Sequence, residues 1–176
     1  MNPSLFVLAT LVSTRITQAA QGSPPAISAA PADVDSINHI VAALYDVISG
    51  PAGAKRNWDR MRSLFTPGAM MGAVFQTKNG VTGEADFSVE RYITGNDPVL
   101  MKEGFFEREV SRKSEAFGHI AHVFSTYESR HVPGEKPFER GINSIQLYND
   151  GKRWWVRTIL WEGETATLKL PRKYTR

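Results

Sequence analysis

Apolar residues recur at Val34, Ile37, Val41, Leu44 and Ile48, the three-to-four spacing of a helix that buries one face. Asp33 or Asp35 offers an acidic cap before it, and Gly50-Pro51 stops it. A shorter stripe of Trp58, Met61, Leu64 and Phe65 behind Asn57 predicts a second helix, ended by Thr66-Pro67-Gly68. Ala69 to Phe75 is then a continuous apolar run broken at Lys78-Asn79-Gly80, which predicts a short strand pair reaching Phe87. Ser88 caps a third short helix expected to run to Gly95, although Arg91 stands where a capping box wants Glu.

From Glu103 the period changes. Four runs rich in aromatic and β-branched residues, roughly 103–116, 119–131, 138–149 and 152–161, are separated by Phe117-Gly118, Pro133-Gly134 and Asp150-Gly151. Such turns predict a four-stranded antiparallel meander, and runs of this length call for curvature and bulges. Helices first and a long meander second make an α+β pattern, not a parallel doubly wound one.

Composition bounds the function. A chain of 176 residues, 41% hydrophobic and 22% charged, is globular and of single-domain size. Its net charge of +3 comes from 21 basic side chains scattered among 18 acidic ones, a pattern that gives nucleic-acid binding no support. The absence of Cys excludes disulfides, thiolate nucleophiles and zinc–thiolate sites. Leu5 to Val12 is an apolar run of signal-peptide length followed by small residues at Ala19 and Ala20, so residues 1–20 read as a cleaved leader and the protein as secreted or periplasmic. The run is too short to span a bilayer, and no stable membrane anchor is expected. Residues 21–32, with Pro24, Pro25 and Pro31, read as a flexible Pro/Ala linker, residues 33–165 as the folded domain, and 166–176 as a basic, solvated tail.

The first helix, the short helix ending in Leu64-Phe65-Thr66-Pro67-Gly68-Ala69, and the closing Asp150-Gly151-Lys152-Arg153-Trp154-Trp155-Val156 together resemble the nuclear transport factor 2-like, or SnoaL-like, superfamily. The order of elements matches over roughly residues 33–162, and the likeness is greatest to bacterial members without an assigned reaction. The resemblance implies a cone-shaped α+β fold, three helices packed on a curved, mostly antiparallel sheet, with a pocket between the concave face and the helices and, in many members, a dimer. Members isomerise, dehydrate, hydrolyse epoxides or only bind, so the resemblance implies no particular reaction. No catalytic set of the ketosteroid isomerases or of scytalone dehydratase can be placed on this chain.

Strand alternation sorts the candidate residues. With Phe117-Gly118 as a two-residue turn and the other turns tight, Glu128 lies opposite Glu107 and Gly141, Thr126 opposite Glu109 and Asn143, and Phe124 opposite Ile145. One face then carries Phe124, Thr126, Glu128, Asn143, Ile145, Leu147, Trp154, Val156, Thr158 and Leu160. As the more apolar face it is expected to line the pocket, with Glu107, Glu109, Glu128, Thr126 and Asn143 converging there. Clustered, desolvated carboxylates raise each other's pKa and make a proton-shuttling acid or base. Glu128, Glu109 and Asn143 are therefore the catalytic candidates, and Tyr45, Phe124, Thr126, Ile145, Trp154 and Thr158 the ligand-binding ones. Alternatively these glutamates pair with Arg108, Arg112, Arg130 or Arg140 on ladders facing solvent. The other face, with Tyr127, Ser144, Gln146, Arg157, Trp155, Ile159 and Trp161, has the mixed character of an interface and is the expected homodimer surface. In the reverse arrangement it lines the pocket, with Tyr127 and Arg157 as donors to an oxygenated ligand.

His39, His119, His122 and His131 show no metal-ligand spacing, so no metal is expected, nor any other cofactor. Phosphate loops, Gly-x-Ser-x-Gly elbows and His-Glu-x-x-His are absent. Two readings of different class follow: a pocket that binds a small apolar or oxygenated molecule without turnover, or a cofactor-free lyase, isomerase or hydrolase using a raised-pKa glutamate.

Overall fold

The computed structural model describes residues 27–77 and 79–175. The expected leader and the first six residues of the linker lie outside the described residues. Within the described part the linker is shorter than expected, because Pro31 opens a single helical turn, α1 (Pro31–Val34), where its missing N–H costs nothing.

Ser36, not Asp33 or Asp35, caps the first long helix. Its hydroxyl accepts the His39 N–H at 3.1 Å, and α2 (Ile37–Ile48) follows. The two aspartates are engaged elsewhere: Asp33 takes both branches of the Arg60 guanidinium, and Asp35 pairs with His39. Asn57 caps α3 (Trp58–Leu64) through the Arg60 N–H at 2.9 Å. After β1 (Phe65–Gln76) and β2 (Thr82–Ser88), the third expected helix overruns Gly95, and α4 (Val89–Glu103) ends only at Gly104, whose φ is +71°. Pro98 is tolerated inside it because both Pro98 and Thr94, whose carbonyl it leaves unpaired, are exposed to water. The buried Ile93 and Leu100 carry the apolar face across that gap.

The meander is β3 (Phe106–Phe117), β4 (Ile120–Arg130), β5 (Glu139–Asn149) and β6 (Trp154–Gly163). One open, curved, mixed sheet results, ordered β2-β1-β6-β5-β4-β3. The pairing of β1 with β6 is parallel and the others are antiparallel. The helices pack on one face. There Ile40 and Val41 of α2 and Met61 and Leu64 of α3 meet Val123, Ile145 and Val156 of the sheet, none more than 1% exposed.

Register departs from the tight-turn expectation at three places. The first turn is Gly118-His119, with Phe117 paired to Ile120, and a bulge between Glu109 and Ser111 then changes the parity, so Glu107 faces Ser129 and Glu109 faces Tyr127. The connection after β4 spans eight residues, 131–138, and sets Tyr127 opposite Gly141, Ser125 opposite Asn143 and Val123 opposite Ile145. A second bulge, between Gln146 and Leu147 in the pairing with β6, puts Ile145 opposite Ile159 and Asn143 opposite Trp161. A shift of one residue inverts a strand, so the face expected to line the pocket is divided. Asn143, Ile145, Leu147, Trp154 and Val156 stay under the helices. Phe124, Thr126, Glu128, Thr158 and Leu160 move to the far side, exchanged for Val123, Ser125, Tyr127, Ser129, Ile159 and Trp161.

The carboxy-terminal segment is mostly exposed but is anchored on the sheet. It crosses the far side of the sheet to a 3-10 turn at Arg172–Tyr174. There the Tyr174 carbonyl accepts the Thr126 hydroxyl at 2.6 Å, and its ring lies 5.5 Å from that of Phe124.

Candidate functional site

Between the helices and the sheet lies a cavity of about 200 Å³. Its walls are mostly apolar: Leu44 and Ile48 from α2, Met61 from α3, Phe65 and Met71 from β1, Phe105, and Ile145, Ile159 and Trp161 from the sheet. Into it come Tyr45 from α2, Tyr92 and Asn96 from α4, Glu107 from β3, Tyr127 from β4, and Glu139 and Asn143 from β5.

The polar groups form two linked sets. Ser129 donates to Glu107 Oε2 at 2.8 Å, and Asn143 Nδ2 reaches Glu107 Oε1 at 3.5 Å and the Tyr45 hydroxyl at 3.1 Å. Ser125 gives its one proton to Glu109 at 2.5 Å, so Tyr45, 2.6 Å from the same oxygen, donates to Ser125. Glu109 is in turn held by both branches of Arg112. In the second set the Tyr127 hydroxyl donates to Glu139 Oε1 at 2.8 Å. Tyr92 stands apart. Its ring packs on Phe87 and Trp161, yet its hydroxyl makes no hydrogen bond among the described residues.

Charge follows from this geometry. The Glu107 residue is half-buried, but its carboxyl group is enclosed, and desolvation pushes its pKa up to about 7 against the opposing bond from Ser129, with Glu139 nearby adding to the rise. Burial likewise raises the Tyr45, Tyr92 and Tyr127 hydroxyls far above their ordinary value, so all three stay protonated donors. Among the described residues no basic side chain lines the cavity. Among the described residues no three acidic or imidazole groups come together as a metal site.

Of the candidates drawn from the sequence, Tyr45, Asn143 and Ile145 line the cavity, and Glu109 stands one hydroxyl behind it. Glu128 is carried to the opposite face, since its neighbours Tyr127 and Ser129 point inward. There burial would raise its pKa, but hydrogen bonds from Arg130 and Arg108 prevail and hold it below the carboxylate norm. Phe124 and Thr126 are on that face with Tyr174, and Thr158 is placed there opposite Gln146. Trp154 packs against the core without lining the cavity. Of the face read as an interface, Tyr127, Ile159 and Trp161 line the cavity, whereas Arg157 donates to the Gly68 carbonyl. Sequence reasoning passed over Tyr92, Asn96 and Glu139. The first two were signalled by the stripe Val89, Tyr92, Ile93, Asn96 and Leu100, which Gly95 and Pro98 disguised.

Solved structures share this architecture at low identity. A protein of unknown function with a cystatin-like fold from Nostoc punctiforme superposes with a TM-score of 0.55 at 11% identity, over 74% of this chain and 90% of that one. A candidate dehydratase from the NTF2-like family of Streptomyces avermitilis gives 0.55 at 12%, over 76% and 97%. The beta subunit of a candidate aromatic-ring-hydroxylating dioxygenase from Novosphingobium aromaticivorans gives 0.50 at 15%, over 80% and 94%. No protein-family model and no curated protein matches the sequence.

Proposed function

We propose that this chain, which has the nuclear transport factor 2-like fold, is a binding domain for a small single-ring molecule carrying a hydrogen-bonding group. The observation that carries this reading is the cavity: about 200 Å³, apolar-walled, with convergent polar groups at one side. Drug-sized ligands occupy roughly 300–1,000 Å³, whereas benzene enters an apolar cavity of about 150 Å³. One ring with one substituent is therefore the fitting size. Export of the mature domain, supported by the run Leu5 to Val12, and homodimerisation belong to the same proposal. The surface available to a second copy is the far side of the sheet, where Phe117 (84% exposed), Ile120 and Tyr148 lie in one cross-strand row.

Protein-observed NMR with a set of oxygenated and nitrogenous single-ring fragments tests the binding reading. Millimolar or tighter binding that shifts the Trp161 indole and Asn143 amide resonances is expected; failure of every fragment to bind overturns it.

A second reading, turnover by acid–base chemistry, is favoured by one observation, the Glu107 pKa near 7, where a carboxyl group both accepts and returns a proton. In this reading Glu107 takes the role first considered for Glu128. Incorporation of solvent deuterium into a bound carbonyl fragment, lost in Glu107→Gln, is its signature, and exchange that persists in that variant removes Glu107 as the base.

A further inference from the structure

Several carboxylates at the edge of the core are answered by an arginine: Asp33 by Arg60, Glu109 by Arg112, Glu128 by Arg108 and Arg130, and Glu164 by Arg140; Asp97 takes the Trp58 indole N–H instead. Glu107 and Glu139 have no such partner among the described residues. Glu107 is held only by Ser129 and Asn143, and Glu139 by Tyr127. Arg56, the buried guanidinium of the loop after α2, has its donors on backbone carbonyls.

The rest of the lining points the same way. The rings of Tyr45, Phe65, Tyr92, Phe105, Tyr127 and Trp161 surround the space, and aromatic faces attract cations. The Tyr92 hydroxyl, which makes no hydrogen bond among the described residues, is a further acceptor in the lining. A carboxylate ligand would set like acidic groups against each other in a low-dielectric space. A neutral alcohol would leave the two glutamates unneutralised.

We propose that the ligand of this cavity is a small organic ammonium ion, its N–H donors on Glu107, Glu139 and the Tyr92 hydroxyl and its apolar body among the aromatic rings. This rests on the binding reading above and goes further, by fixing the charge of what binds. An ammonium group has three donors and no acceptor, which matches a wall offering two carboxylates and a hydroxyl. Neutralising Glu107 in this way favours its ionised form, so binding below pH 7 releases a proton.

Three probes of equal ring size separate the possibilities: benzylammonium, benzyl alcohol and benzoate, titrated by calorimetry into the wild-type protein at pH 8, where the amine is protonated and Glu107 ionised. Benzylammonium is expected to bind about tenfold or more tightly than benzyl alcohol, the scale of a charge-assisted hydrogen bond, with benzoate weakest. Glu107→Gln is expected to reduce the ammonium-over-alcohol preference about tenfold, and Glu139→Gln, an independent variant should the first not fold, to reduce it as well. Equal affinity for alcohol and ammonium, or tightest binding of benzoate, overturns the ammonium assignment while leaving the pocket standing. A preference that survives both substitutions also overturns it. Binding of none of the three removes the pocket reading together with this one.

Discussion

Tyr127 lies across the backbone of Gly141, its opposite number on β5: a Cβ placed at 141 would come within 2.6 Å of the tyrosine hydroxyl and closer still to the Glu162 carbonyl. Replacing a strand glycine by alanine ordinarily stabilises by about 0.5–1 kcal/mol. Here the sign reverses, because the Glu162 carbonyl is backbone and cannot turn aside. Gly141→Ala is expected to cost about 1–3 kcal/mol and to displace Tyr127 from Glu139, both readable in urea unfolding and in the tyrosine's own resonances. A neutral or stabilising result would mean that β5 and β6 separate there at little cost.

Glu107 sets a pH dependence of stability. Its pKa is near 7 folded and 4.5 unfolded, so between those values the folded state holds more protons than the unfolded one. The sign follows: stability is highest below pH 4.5 as far as this group is concerned, falls as pH rises to 7, and stays lowered above it. The full span is about 3 kcal/mol. Asp33, Glu90 and Glu128, all lowered, act oppositely and below pH 4.5, in a separate window. Glu107→Gln is therefore expected to exceed wild-type stability at pH 8 and to match it near pH 4.5, in urea midpoints taken at both values. Parallel curves for the two proteins would show the carboxyl to be hydrated.

Arg56 is 7% exposed and holds the loop between α2 and α3 by donating to the carbonyls of Ile48 at 2.8 Å, Gly50 at 2.6 Å and Ala54. Its guanidinium rests on the Cα of Gly50, where a Cβ would be 2.9 Å away. Truncation strands several part-buried carbonyls at once, so Arg56→Ala is expected to lose about 2–3 kcal/mol. Arg56→Lys should recover only part of this, since one ammonium cannot span the three. Full recovery with lysine would show that charge, not the planar fork, is what the loop requires.

The tail can be removed without touching the cavity, which lies on the other face. A chain ending at Leu170 forfeits the Thr126–Tyr174 hydrogen bond and the Phe124–Tyr174 ring contact. A loss of about 1–2 kcal/mol in urea unfolding is expected, with fragment binding retained. An unchanged midpoint would mean that the segment is not docked in solution.

How much of this was legible in the sequence depended on range. Local signals carried the caps at Asn57 and Ser88, the hairpin before Phe87 and the four meander strands, because each is decided by a few neighbouring residues. The α4 boundary was misread because Gly95 and Pro98 are strong local breakers, overruled by the buried Ile93 and Leu100. The site itself hung on parity. One bulge beside Val110 and one eight-residue connection decided whether Tyr127 or Glu128 met the helices, and neither has a signature in composition. Asn143 and Ile145 survived because they define the strand against which the others shifted. Glu128 did not, and its two arginines were the hint that it had no need of a pocket.

The sheet order has a consequence for how the chain becomes this structure. The hairpin of β1 and β2 is made early, yet its inner edge pairs only with β6, the last strand. Until the strand ending at Gly163 is available, β1 has no inner neighbour, and its apolar edge is free to find the wrong one. Contacts so distant along the chain slow folding and prolong exposure of unpaired strand. The completed sheet thus waits on its last strand: a chain stopped short of Trp154 would carry α1–α4 and β1–β5 while lacking the strand that joins the two halves.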